Sequence, residues 1–194
     1  NALKYLDEVE IYNRSIDLIF GFITQTLANV ITDLQKAVRL NITHISIYDL
    51  EIYPKTIFGM QRYEKLDEDT CFLMYQTIVE FLNLHGYKQY ETSNFALGKY
   101  QSVHNKLYWK YEDFKGVGLS SSSKIKNIRT NNTSNFVDYL NNRYTETTTR
   151  LSDEDIIFEA IMMNLRMNEG IDIKEFDERF NCNILEKFHI EIEK

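Results

Sequence analysis

SIDLIFGFITQTLANVITDLQKAVRLNITHISIYDL, residues 15–50, reads as strand, helix, strand. Ser15–Gly21 is a short apolar run ending in glycine, the pattern of a buried strand. Thr26 is placed to cap the helix that follows, in which Leu27, Val30, Ile31, Leu34 and Val38 keep the helical period. His44–Leu50 is strand-like again, rich in β-branched and aromatic residues. A strand–helix–strand unit at this spacing implies parallel pairing and a right-handed crossover. The sequence therefore predicts an α/β protein that opens with a parallel sheet or part of a barrel.

The pattern continues outward from this unit. Residues 1–11 read as a helix. After a loop over Glu51–Leu66, a long helix runs from about Asp67 to His85, with Gly86 as its C-terminal stop and Tyr87–Glu91 as a third strand. Residues 92–132 read as irregular, apart from a strand over Lys124–Arg129. Phe136–Asn142 forms a short helix, Ser152 with Asp155 a capping box for the helix Glu154–Met167, and Asp172 a cap for a helix through Phe180. The expected division is 1–132 for the α/β part and 133–194 for a helical part. Three or so strands do not close a barrel, and an exposed parallel edge needs covering, so both ends read as cut.

Composition narrows the class. A chain of 194 residues with a net charge of −7 offers no broad face for nucleic acid. No apolar run approaches the roughly 18 residues of a membrane span, and Asp7, Glu8 and Glu10 are wrong for a secretory signal. Cys71 and Cys182 are too far apart in sequence to make a CxxC pair or a disulfide framework. A cytoplasmic location is expected.

Chemistry concentrates at His104-Asn105-Lys106-Leu107-Tyr108-Trp109. Imidazole is a common axial ligand of haem iron, and Tyr and Trp offer flat apolar surface to a porphyrin. Taken alone, a loop histidine beside two aromatics more often serves packing. The neighbouring pieces change that balance. Tyr90–Ala96 (YETSNFA) and Ser102 precede the segment, and Gly116-Val117-Gly118 follows it. Upstream stand Asp17–Gly21 (DLIFG), His44–Tyr48 (HISIY) and Thr56; downstream, Glu159–Arg166 and Gly170-Ile171-Asp172. As an ordered set these resemble the haem chaperone HemW and oxygen-independent coproporphyrinogen III oxidase-like radical S-adenosylmethionine (SAM) family, in which H-N-x-x-Y-W is a haem-binding motif. The intact motif is similar to the chaperone branch rather than to the true oxidases.

The resemblance implies the C-terminal part of a radical SAM partial (β/α) barrel with a small helical C-terminal domain. It implies His104 as iron ligand, Tyr108 and Trp109 against the ring, and Asn105 bonding a propionate or orienting the loop. Asp17 matches a SAM-contacting position and Gly21 the glycine beside it; the alternative for Asp17 is a strand-end carboxylate meeting backbone donors. The resemblance also has gaps. Gly21-Phe22-Ile23-Thr24-Gln25-Thr26 stands where the family has G-L-P-G-Q-T, and Tyr53 replaces an acid. The C-x-x-x-C-x-x-C that holds the family's [4Fe–4S] cluster does not occur, so no cluster is expected on this chain. His44, His85 and His189 are assigned to no metal.

Three functions follow as expectations. One is a haem carrier passing its cargo to an acceptor protein. The second is a radical SAM oxidase or reductase acting on a porphyrin, which requires a longer parental chain bearing the cluster motif. The third is a fragment without function, with homodimerisation or aggregation through the uncovered sheet edge. Haem binding by a folded monomer separates the first from the third; cluster cysteines upstream in the reading frame revive the second.

Overall fold

The computed structural model describes residues 2–193. Their contacts divide the chain into two compact units, one up to Ser102 and one from Val103.

The first unit contains α1 (Ala2–Glu8), β1 (Ser15–Phe20), α2 (Leu27–Val38), β2 (His44–Asp49), α3 (Ile57–Met60), α4 (Glu68–Leu84), β3 (Tyr87–Glu91) and β4 (Asn94–Leu97). The predicted strand–helix–strand unit is present: β1 and β2 are parallel, with Ser15 opposite His44 and Asp17 opposite Ser46. Thr26 caps α2 through a reciprocal bond with Asn29, and Asp67 caps α4. Gly86 ends α4 with φ +86°, a left-handed conformation that glycine adopts at little cost.

The sheet order is β1-β2-β4-β3. The third predicted strand therefore does not lie beside β2. A tight turn at Thr92 and Ser93, closed by Ser93 N–H donating to the Glu91 carboxylate at 2.9 Å, sends β4 back along β3. β4 then pairs antiparallel with β2. One face of this sheet is apolar. Phe20, Ile45, Ile47, Tyr87 and Phe95 meet Val30, Leu34 and Ala37 of α2 and Met74, Ile78 and Leu82 of α4. Each large apolar side chain buried there contributes about 1.5–3 kcal/mol. The other face carries Ser15, Asp17, His44 and Ser46, because side chains alternate along a strand and registered partners share a face.

The second unit contains α5 (Val103–Trp109), β5 (Ser122–Ile125), β6 (Ile128–Asn132), α6 (Phe136–Leu140), β7 (Thr145–Arg150), α7 (Asp153–Asn164), α8 (Ile173–Phe180), α9 (Ile184–Lys187) and α10 (His189–Ile192). The Ser152–Asp155 capping box and the Asp172 cap open α7 and α8 as expected. The helical tail shares its unit with a three-stranded antiparallel sheet, β5-β6-β7. β6 and β7 pair across the boundary expected at 132–133, and the contacts divide the chain thirty residues earlier, at 102–103. The core of this unit joins Tyr111, Ile157, Ala160, Phe176 and Ile184.

Candidate functional site

The motif read as a loop lies on a helix, α5. Helical geometry turns successive residues by about 100°. Tyr108 thus comes within about 40° of His104, Leu107 lies about 60° to the other side, and Val103 about 100°. These positions form the open face of the helix. His104 is exposed, Val103 is 74% and Leu107 43% exposed, and Tyr108 is half-buried. The Tyr108 ring meets the His104 imidazole edge-on, with centroids 4.8 Å apart. The Phe114 ring also packs against Tyr108, with centroids 4.7 Å apart. No hydrogen bond among the described residues engages the His104 ring. The exposed apolar side chains of Val103 and Leu107 lie to one side of it on the same face.

Asn105 and Trp109 point elsewhere, about 100° and 140° round from His104. Both are half-buried. Of the four residues named for haem, the structure brings together His104 and Tyr108 and sets Asn105 and Trp109 on the flank that faces the protein. The guanidinium of Arg166 lies 4.3 Å from the Trp109 ring centre, within cation–π range.

The segment just after α5 is held by a charge network that the sequence reading missed. Immediately after α5, Tyr111 is buried with φ +57°. Its hydroxyl donates to Glu159 Oε2 at 2.6 Å, and Arg129 grips both Glu159 oxygens at 3.0 and 2.7 Å. The buried Lys124 places its ammonium 4.0 Å from the Tyr111 ring centre and donates to Tyr111 O and Asp113 at 3.2 Å. Arg179 closes the other side by donating to the Lys110 and Tyr111 carbonyls, both at 2.8 Å. Burial and the bond to Glu159 push the Tyr111 phenol far above its ordinary value. Burial also works against ionising Glu159, but the bonds from Arg129 and Tyr111 outweigh it and hold that carboxyl low. The one available signal was that Glu159 falls in the stretch Glu154–Met167 read as a single helix; in the structure α7 ends at Asn164 and Arg166 lies beyond its C-cap.

Asp17 and Gly21 belong to the first unit. The strand expected to be buried over Ser15–Gly21 is open on one face: Asp17 is exposed, because β1 is an edge strand whose polar face is uncovered. It makes no hydrogen bond among the described residues, so it is free to accept from a ligand's hydroxyl or amino groups. Gly21 has φ +94°, and a Cβ there would lie 2.6 Å from Asp49 Oδ1. Its N–H donates to the Gln25 side chain at 2.9 Å, so the altered loop is closed by its own glutamine. On the same polar face His44 bonds Ser15 Oγ and the Tyr90 hydroxyl, each at 2.8 Å. Burial lowers the His44 pKa, against the opposing pull of Asp17.

A [4Fe–4S] cluster does not fit the residues present. It needs three thiolates, and the chain has Cys71 in the first unit and Cys182 in the second. Among the described residues no helix is long and apolar enough to cross a membrane.

Comparison with known proteins places the chain in a family. Residues 151–194 match the HemN C-terminal domain family. The chain is 34% identical to the haem chaperone HemW of Buchnera aphidicola subsp. Schizaphis graminum, over 100% of its own length and 54% of that protein. It is 31% identical to HemW of Lactococcus lactis, over 94% of the chain and 50% of the relative, and 31% identical to HemW of Escherichia coli, over 90% and 48%. The chain thus spans about half the length of the curated relatives it matches. Among solved structures, Escherichia coli coproporphyrinogen III oxidase (HemN), described as a radical SAM enzyme, superposes with a TM-score of 0.78 at 16% identity. That superposition covers 98% of the chain and 49% of the solved one, and it shows a shared mixed α/β fold. With haem chaperones aligned along nearly its whole length and the HemN C-terminal domain at its end, the chain belongs to the HemW family of HemN-like proteins.

Proposed function

We propose that this chain is a haem-binding portion of a haem chaperone, with His104 ligating the iron of its cargo. The observation that carries the reading is an imidazole with no hydrogen-bond partner among the described residues, on the open face of α5 beside the exposed apolar side chains of Val103 and Leu107. Burying apolar porphyrin surface against those side chains adds roughly 25 cal/mol per Å² removed from water. Tyr108 fixes the imidazole from its edge. Asn105 and Trp109 act from the protein-facing flank. An open site suits a carrier: a ligand held on one side of one helix remains reachable by an acceptor protein, here proposed to lie in the same cytoplasmic compartment.

Asp17 and Gly21 are proposed to meet SAM in the longer protein, whose methionine and ribose groups offer donors to a free carboxylate. No catalytic step is assigned to this chain, since its two thiols do not make a cluster donor set.

Titration of haemin into the purified chain tests the reading. The expected result is a Soret shift that saturates near one haem per chain and is lost in His104→Ala. Identical spectra for both proteins would remove His104 from the account.

A further inference from the structure

His104 serves as an iron ligand in one direction only, and that direction depends on how α5 is rotated about its axis. Seven residues make a helix that is marginal by itself. None of them is fully buried. The rotation must therefore be set by side chains on the protein-facing flank, where Trp109 lies. Its buried indole Nε1 has no hydrogen-bond partner among the described residues, so no hydrogen bond at the ring edge fixes the indole. Across the face of the ring, 4.3 Å from its centre, is the Arg166 guanidinium. Arg166 follows the C-cap of α7, whose own Glu159 holds Tyr111 two residues beyond Trp109.

We infer that Arg166 is a positioning residue for the haem site: by stacking on Trp109 it fixes the rotation of α5 and hence the line along which His104 meets the iron. The inference rests on the haem reading above. It gives Trp109 a role as a platform for a cation in place of a contact with the porphyrin. It also accounts for an arginine, since a planar guanidinium stacks on an indole face where a compact ammonium does not.

The test is haemin titration of the full chain, followed by the Soret band well below each variant's unfolding midpoint. Arg166→Ala is expected to weaken haem binding about tenfold, the scale of a lost cation–π contact, with the Soret position at saturation unchanged because His104 is still the ligand. Trp109→Phe keeps a ring under the guanidinium and should stay within about threefold of the parent. In a Trp109→Ala background, Arg166→Ala should have no further effect. Unchanged affinity in Arg166→Ala, or full additivity of the two alanine substitutions, overturns the inference. If Arg166→Ala does not fold, Arg166→Lys decides: it retains a cation, and the expected outcome is binding weakened about threefold, whereas parental affinity contradicts the stacking role. A parent without a His104-dependent Soret band ends both the haem reading and this inference; a His104-dependent band indifferent to Arg166 ends this inference alone.

Discussion

Single side chains carry most of the chemistry, and the two histidines that matter do opposite things. His104 is exposed, and its ring makes no hydrogen bond among the described residues. His44 is buried with both nitrogens engaged, between Ser15 and Tyr90. Burial depresses the His44 pKa below its ordinary 6.5. The unfolded chain therefore takes up the proton first as the pH drops. The stability this residue contributes is complete above about pH 6.5 and is lost as the pH falls from there through the lowered folded value. Urea unfolding between pH 7.5 and 5.5 should show the decline, and His44→Gln should flatten it. A pH-independent midpoint in the parent would contradict the assignment. The residue types of the site were legible, since His104, Tyr108 and the flanking glycines stand in a recognisable order. The division of labour was not, because letters do not show that Trp109 lies about 140° round the helix from His104.

At the scale of elements, the sequence reads well where one face is buried and poorly elsewhere. α2 and α4 announce themselves by apolar period and by the caps Thr26 and Asp67. β7 is TETTTR with every residue exposed, so no alternation marks it as a strand. β4 has only four residues and follows a turn without glycine. Two substitutions test how the elements are joined. Gly21→Ala places a Cβ against Asp49, whose other oxygen is held by Lys65 at 2.7 Å, and forces a left-handed φ on alanine. A loss of about 1–3 kcal/mol is expected by chemical denaturation. Glu159→Gln keeps the shape but removes the charge shared by Arg129 and Tyr111. It should lower stability by about 1–3 kcal/mol, and a neutral outcome would mean that the network does not hold α7 to the segment after α5.

For the whole molecule, the finding is two compact units with separate cores, a division placed thirty residues before the expected boundary. The parallel β1–β2 pair was readable from residues 15–50 because a strand–helix–strand pattern has few physical realisations. The boundary was not, because β6 and β7 are joined by pairing between polar strands. Leu82 is fully buried in the first core. Leu82→Ala should destabilise that unit by about 2–5 kcal/mol, while haemin affinity, measured where the variant remains folded, should stay at the parental value. Weakened haem binding in that variant would place part of the site in the first unit. The central claim, that the His104 imidazole is the iron ligand, is tested most directly by chemical rescue: haemin spectra of His104→Ala recorded with and without added free imidazole. The account predicts that imidazole restores the parental Soret band to a variant that lacks it. A parental band in His104→Ala before any imidazole is added would contradict it.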